Sequence, residues 1–422
     1  MDKFLVKKRE GGGSADVVPA GGKRKCTAKA PRDPVKIISW NADGLGVRLK
    51  NDWSLLETFI RDEAPDVLCI QEVRLPANGP KGCKKGDGQR RRRGEIRNET
   101  KADRADVELY NKTLGSLARK MGYAVHLSLS DWKYAGTAML IRDTCTARRV
   151  VYSLGPRDPC EHHPDGRIIL AEFETFDLLA LYVPNNGWKE ESFERRRKWD
   201  EELREFAADH QERSLVVCGD LNVAHEDCDL SHPEFFKKQE GDQQKNGGLS
   251  PPHEDDRGQP GSTNNERARH GRLLKEGRLV DAFRQPCQHP YPTPEGVNVF
   301  TWRGQDGVNV AFAKYAGKGM RIDYTLVSRK LAVEDGRIRR AAVLGRRDTA
   351  QGYLGSDHCP VLLDLAPAPA PAASSHLGEA PPHVGGEALP PSDEDPPVGG
   401  GLPGSGVAPA ALAGEGKREE EE

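Results

Sequence analysis

The residues of this 422-residue chain that are equipped for chemistry stand at the ends of apolar runs. LVVCGDLN (215–222) closes on Asp220 and Asn222, and VKIISWN (35–41) closes on Asn41 with Asp43 two residues on. DVLCIQE (66–72) ends in Glu72, DLLALYV (177–183) delivers Tyr182 and then Asn185, and RIDYTLVS (321–328) carries Asp323. GSDHC sets Asp357 and His358 in front of PVLLDL (360–365). Any one of these could be a turn residue, since Asp and Asn are common after strands. Six segments far apart in sequence that all finish this way point instead to one site at converging strand ends. Within an extended GDLN, alternation sets Asp220 and Asn222 on one side while Leu221 returns to the core. Acids, amides and an imidazole without thiolates suit a hard cation, Mg²⁺ or Mn²⁺, and such ions commonly serve phosphate chemistry. Hydrolysis of a phosphodiester needs an activated or oriented water, neutralised phosphoryl oxygens and a stabilised leaving oxygen. This inventory could supply all three.

The elements that must position these groups include two further strands, TAMLIR (137–142) and RIILAEF (167–173). Several strands are apolar on both faces, as inner strands between packed layers are. Helices are predicted at 52–64, 107–122, 191–210 and 266–277, the last ending at its Gly. In the third, Arg195 to Lys198 read as a solvated face. One domain over 35–366 is expected, with long surface-loop insertions at about 77–106 and 237–266. A basic arm, 1–34, and a Pro/Ala/Gly-rich, acidic-ended tail, 367–422, hold too little apolar surface to offset their chain entropy and are expected to be disordered.

The formal net charge of −2 excludes a globally cationic nucleic-acid binder, so anion recognition must be local. Arg90 to Arg93, with Lys81, Lys84 and Lys85, are candidates for phosphate contact or for a plain solvated loop. Nine cysteines without a CxxC pair read as reduced thiols, with Cys69 and Cys218 buried and inert. No apolar run is long enough for a membrane span or a secretion signal, so a soluble intracellular protein is expected, with no membrane partner. His162, His163, His225 and His289 fall in loops, where His225 is expected to fix a turn. Basic triplets at 7–9 and 23–25 make the nucleus the default compartment, with an organellar copy as the alternative. No oligomer interface is legible, and a monomer is expected.

In order along the chain, SWNADGL, PDVLCIQEVR, DGRIILAEF, LYVPNNG, GDLNVAHEDCDL, FTW, RIDY and GSDHCP resemble the motifs of the exonuclease III family of apurinic/apyrimidinic (AP) endonucleases, within the endonuclease/exonuclease/phosphatase superfamily. The resemblance covers about Lys36 to Leu365. It implies a four-layer α/β sandwich: two mostly antiparallel β-sheets face to face, flanked by helices, with the active site at one edge. It implies Mg²⁺-dependent cleavage of double-stranded DNA 5′ to an abasic site, with 3′-5′ exonuclease or 3′-phosphodiesterase activity. Carried over by motif, Asp220 would be the base for the attacking water, and Asn222 would contact the phosphate. His358, paired with Asp323, would face the scissile phosphate. Glu72 resembles the principal metal ligand with Asp43 and Asp357 near it, and Asn41, Asp220, Asn222 and His358 resemble a second metal position. Tyr182 and Asn185 would bind phosphate or assist the leaving group. Trp302, Met320 and Ile322, with Thr301 beside the Trp, match the pocket for the base-less sugar, less aromatic than in the family. Arg74 stands where the family has Lys, a change that alters hydrogen-bond geometry at a substrate-binding position. Trp188 replaces an Arg of animal members. Glu226, Asp227 and Asp229 read as loop structure.

Two other classes remain open in the sequence. A superfamily phosphatase or sphingomyelinase acting on a small or lipid phosphoester is disfavoured by FTW and by AHEDCDL. A non-catalytic DNA-binding scaffold would require loss of Glu72, Asp220, Asn222, Asp323 or His358, and all five are present.

Overall fold

The computed structural model describes residues 32–368, leaving out 83, 85–88, 156, 157, 159, 240–252, 286–298, 305–312 and 346–352. The expected tails lie almost wholly outside the described residues, as do His289 and Lys85. The rest is built on two six-stranded sheets. One runs, edge to edge, Ile338–Val343, Val361–Leu365, Lys36–Asn41, Val67–Gln71, Thr137–Arg142 and Tyr123–Ser128. The other runs Leu279–Asp281, Asp323–Ser328, Ser214–Asp220, Phe176–Tyr182, Ile168–Glu172 and Arg149–Val151. Each sheet has one parallel pair, Lys36–Asn41 with Val67–Gln71 and Phe176–Tyr182 with Ser214–Asp220; the other pairings are antiparallel.

Three apolar clusters sort the layers. Ile37, Val67, Cys69, Leu178, Val216, Cys218 and Val327 meet between the sheets. Ile38, Trp40, Leu68 and Ile70 face outward onto Leu56 and Ile60 of the helix Trp53–Glu63 and Leu117 of Leu114–Met121. Leu179, Leu215 and Val217 face outward onto Trp199 and Leu203 of Glu190–Asp209 and Leu273 of Asn264–Glu276. Helix, sheet, sheet, helix is the expected sandwich. Strand alternation then explains the site. Followed toward one end, the inward rows change from apolar to polar: Ile37 to Ser39 and Asn41, Cys69 to Gln71, Ala180 to Tyr182, Cys218 to Asp220, Val327 to Thr325 and Asp323. The core between the sheets therefore ends in a polar rim.

Three differences from the sequence reading have physical causes. The stretch 77–106 is more than a loop: Ala77–Asn78 pairs with Arg92–Ile96, and the helix Lys101–Lys112 starts inside it. That start is fixed by Thr100, whose hydroxyl accepts from the Asp103 N–H while Asp103 accepts from the Thr100 N–H, a capping box. Short or charged strands escaped the pattern, among them Arg149–Val151, Leu279–Asp281 and Ile338–Val343, the last carrying exposed Arg339 and Arg340 as edge strands do. Arg196 is not on a solvated face. It is buried and donates to the carbonyls of Pro184, Leu221 and Asn222, binding the helix to two site loops.

Candidate active site

Three side chains stand level on neighbouring strands. Asp220 is registered with Tyr182 on the parallel side and with Asp323 on the antiparallel side, so all three project from the same face. Gly219 makes this approach feasible: at φ 137 a Cβ there would meet the Leu181 carbonyl oxygen at 2.0 Å. From the other sheet the Asn41 amide donates to Asp220 Oδ2 at 2.9 Å and to Glu72 Oε1 at 3.1 Å, joining two carboxylates that come from different sheets. The Tyr182 hydroxyl donates to the same Glu72 oxygen at 2.8 Å.

Beside them His358 Nδ1 meets Asp323 Oδ2 at 2.8 Å, which leaves Nε2 for another partner. The ring is set by its backbone: the His358 N–H donates to Ser356 Oγ, Ser356 Oγ donates to the Asn41 carbonyl, and the Trp40 indole donates to the His358 carbonyl. Thr301 Oγ1 accepts from the N–H groups of Ile322 and Asp323, both at 3.0 Å. Thr301 thus has a definite structural part that its place next to Trp302 did not reveal.

Alternation did not place Asn222. The strand stops at Asp220, and Asn222 lies beyond it with a left-handed backbone, φ 49. It still reaches Asp220 because the turn closes on itself: the Asn222 N–H donates to Asp220 Oδ1 at 2.9 Å and its amide to the Val183 carbonyl at 2.9 Å. Asn185 donates to Asn222 Oδ1 at 3.1 Å. Asp43, Glu72 and Arg74 are left-handed too, at φ 45, 52 and 50. Such backbones cost free energy in residues with a Cβ and persist where surrounding bonds over-determine them. Here the Glu72 carbonyl accepts from the N–H groups of Gly44 and Leu45, and the Arg74 N–H donates to the Ala135 carbonyl.

Burial is graded. Asn41, Asp220, Asp323 and His358 form a buried floor, while Asp43, Asp357, Arg74 and Asn185 line a more open rim. Burial, then repulsion from Asp323, pushes the Asp220 carboxyl up to about 7. Burial, then Asp357, pushes Asp43 up to about 6. Burial opposes ionisation of Glu72 as well, but Arg74, the Asn41 amide and the Tyr182 hydroxyl outweigh it and hold that carboxyl below its ordinary value. For His358 burial opposes the charge, yet Asp323 prevails and the imidazole is held well above its ordinary value, protonated.

The donor set fits a hard divalent cation. Ligand atoms of Asp220, Asp323 and His358 all lie within 4.8 Å of one another, and Asp323 Oδ1 is buried without a hydrogen-bond partner. This triplet differs from the ligand set expected from the motifs. Asp323 belongs to it, whereas Glu72 and Asp43 stand one step away, each paired with Arg74. Arg74 thus neutralises two acids, and its side chain is 42% exposed. Among the remaining expectations, Trp302 pairs with Met320 in a two-residue antiparallel ladder and its indole donates to Asp357 Oδ2 at 2.9 Å. Met320 and Ile322 are buried in one cluster with Phe236 and Tyr315, and Trp302 packs against it. Phe236 and Tyr315 thus bring aromatic rings from distant segments against Met320 and Ile322. Asp229 is tied to Arg321 and Arg284, and Asp227 to Lys237 and Arg267, which makes them structural as read. His225 lies against His270, with its backbone N–H on the Tyr324 hydroxyl and its ring 3.7 Å from the Glu226 carboxylate. His162 and His163 stack on Tyr152 and edge onto Trp199.

Residues 38–358 match the endonuclease/exonuclease/phosphatase family. The chain belongs to that family. Over 340 residues it is 44% identical to a DNA-(apurinic or apyrimidinic site) endonuclease of Arabidopsis thaliana, across 80% of this chain and 86% of that protein. A protein of the same description from Plasmodium berghei (strain Anka) is 34% identical across 78% of this chain, which spans 62% of that protein's length. The crystal structure of an AP endonuclease from Leishmania major shares the fold, with a TM-score of 0.55 at 22% identity, across 84% of this chain and 93% of that one. The family is one of metal-dependent hydrolases that include DNA-cleaving enzymes, and the acid-imidazole cluster described above is able to hold such a metal. Among the described residues no helix is long and apolar enough to cross a membrane.

Proposed function

We propose that this protein is an AP endonuclease of base excision repair. It hydrolyses the phosphodiester 5′ to an abasic site in double-stranded DNA, leaves a 3′-hydroxyl, and trims 3′ ends by the same chemistry. The observation that carries the reading is the joined constellation in which Asn41 bridges Glu72 and Asp220 beside the Asp323–His358 pair. The kinship to AP endonucleases favours it over a small-molecule or lipid phosphatase.

Asp220 and Asp323, with Glu72 nearby, would hold Mg²⁺, or Mn²⁺ in its place, while His358 stays protonated beside them. When bound, the ion neutralises phosphoryl charge and lowers the pKa of water. Asp220, whose carboxyl lies near neutrality, orients the attacking water and takes its proton. Asn222, braced by Asn185 and the Val183 carbonyl, turns the amide hydrogen of its longer bond, to Asp220 Oδ2 at 3.3 Å, onto a phosphoryl oxygen. His358 keeps Nδ1 on Asp323 and presents a protonated Nε2 to the negative charge that develops. Tyr182, donating to Glu72 in the free protein, stands where a phenol can support the departing oxygen. Trp302, Met320 and Ile322 supply an apolar wall suited to a sugar without a base. The protein acts as a monomer, and the nucleus is the compartment the repair role favours.

A substrate panel tests this. The protein with Mg²⁺ is offered a duplex with one abasic-site analogue, the undamaged duplex, a phosphoinositide and sphingomyelin. A single cut 5′ to the lesion, blocked by EDTA, is expected. Faster turnover of either lipid phosphoester would overturn the proposal.

A further inference from the structure

Arg167 is a buried cation that the mechanism above does not use. It sits at the start of the strand Ile168–Glu172 and is 1% exposed. Its contacts converge on Tyr182. The Tyr182 N–H donates to the Arg167 carbonyl at 3.0 Å, and Arg167 Nη1 returns a bond to the Tyr182 carbonyl at 3.0 Å. The guanidinium carbon lies 4.6 Å from the centre of the Tyr182 ring and 5.3 Å from that of Tyr134. Nη2 donates to the Tyr134 hydroxyl at 2.6 Å, and Nε donates to Asp165 at 3.2 Å.

The segment that carries Arg167 is itself fixed. Gly166, at φ 63, lies so close to the Ser128 carbonyl that a Cβ would meet its oxygen at 2.2 Å. Thr137 Oγ1 donates to the Gly166 carbonyl, and the Gly136 N–H donates to that of Asp165. A planar fork anchored at three acceptors, with its face against an aromatic ring, has one orientation; the flexible stem of a lysine would not reproduce it.

We propose that Arg167, with Tyr134 as its brace, is a positioning residue that holds the Tyr182 phenol in line with the reacting phosphate. Its role rests on the hydrolytic reading of the site but adds a determinant outside the motif residues that touch metal or phosphate. A merely structural arginine would affect stability whether or not the phenol is present. A positioning arginine acts through the phenol, so its effect vanishes when the hydroxyl is removed.

The test is a double-mutant cycle with Arg167→Met and Tyr182→Phe in the full-length, Mg²⁺-loaded protein, run on whichever phosphodiester the wild type hydrolyses. Failure of the abasic-site reading therefore leaves this test standing. Arg167→Met alone should lower kcat by about 10- to 100-fold with KM within about threefold, the scale of a misplaced group near reacting atoms. In the Tyr182→Phe background the further loss should be less than about threefold. Tyr134→Phe, a milder change that keeps the guanidinium, should lower kcat by a smaller factor, also absorbed by Tyr182→Phe. It decides the matter should Arg167→Met fail to fold by thermal melting. Losses that multiply in either cycle, or no loss in the single variants, overturn the inference.

Discussion

At the scale of single residues the site balances charges that folding has partly removed from water. Asp220 is the clearest case, held up to about 7 by burial and by Asp323. A carboxyl whose folded pKa is raised contributes stability that is fully present below its unfolded pKa, about 4, and is lost as pH rises through the folded value. In EDTA, therefore, the wild type should lose stability through this group between about pH 4 and 7. Asp220→Asn should be more stable than the wild type at pH 8 by on the order of 1 kcal/mol, and the difference should shrink at pH 5. Thermal unfolding of both proteins at the two pH values checks this; a constant difference would contradict it. The residues themselves were largely legible in the sequence, because Asp, Asn, Glu, Tyr and His after apolar runs stand out by type. Their backbones were not. The left-handed turns at Glu72 and Asn222 depend on contacts from Gly44, Leu45, Arg196 and Val183 that no local pattern encodes.

Among the elements, the inner strands were readable because burial on both faces leaves an unbroken run of Val, Leu and Ile, as in Phe176–Tyr182 and Ser214–Asp220. Edge strands were missed where their residues answer to solvent, as at Arg339 and Arg340. The insertion at 77–106 looks like a loop in sequence because its charge hides a cap. Thr100→Ala should remove that cap at a cost of about 1 kcal/mol and leave the incision rate unchanged. Denaturant melts with activity assays in parallel would show it, and a loss of activity without loss of stability would contradict it. Gly219→Ala should be much worse, since the new methyl group would collide with the Leu181 carbonyl in the parallel pair that holds Tyr182 level with Asp220. A loss of about 3 kcal/mol or more is expected, with the midpoint of urea unfolding as the measure.

For the whole molecule, two sheets meet so that one end of their shared core becomes the reaction floor, which is why residues from Asn41 to His358 must fold as one unit before any site exists. The described fold closes on itself at both ends: Arg32 pairs with Asp66, and Ala366 exchanges hydrogen bonds with Arg337. A chain cut to residues 32–368 should accordingly keep incision within about twofold of the full length, and a larger loss would assign the tails a part in activity. The account as a whole turns on Asp220 serving a water rather than only holding the strand end. Its most direct test is single-turnover incision of a duplex carrying one abasic-site analogue, by the wild type and by Asp220→Asn, each in Mg²⁺ and in EDTA. The account predicts a cut 5′ to the lesion by the wild type in Mg²⁺ alone and a rate about 10³-fold lower for Asp220→Asn. Equal cleavage by the two proteins, or none by the wild type, would contradict it.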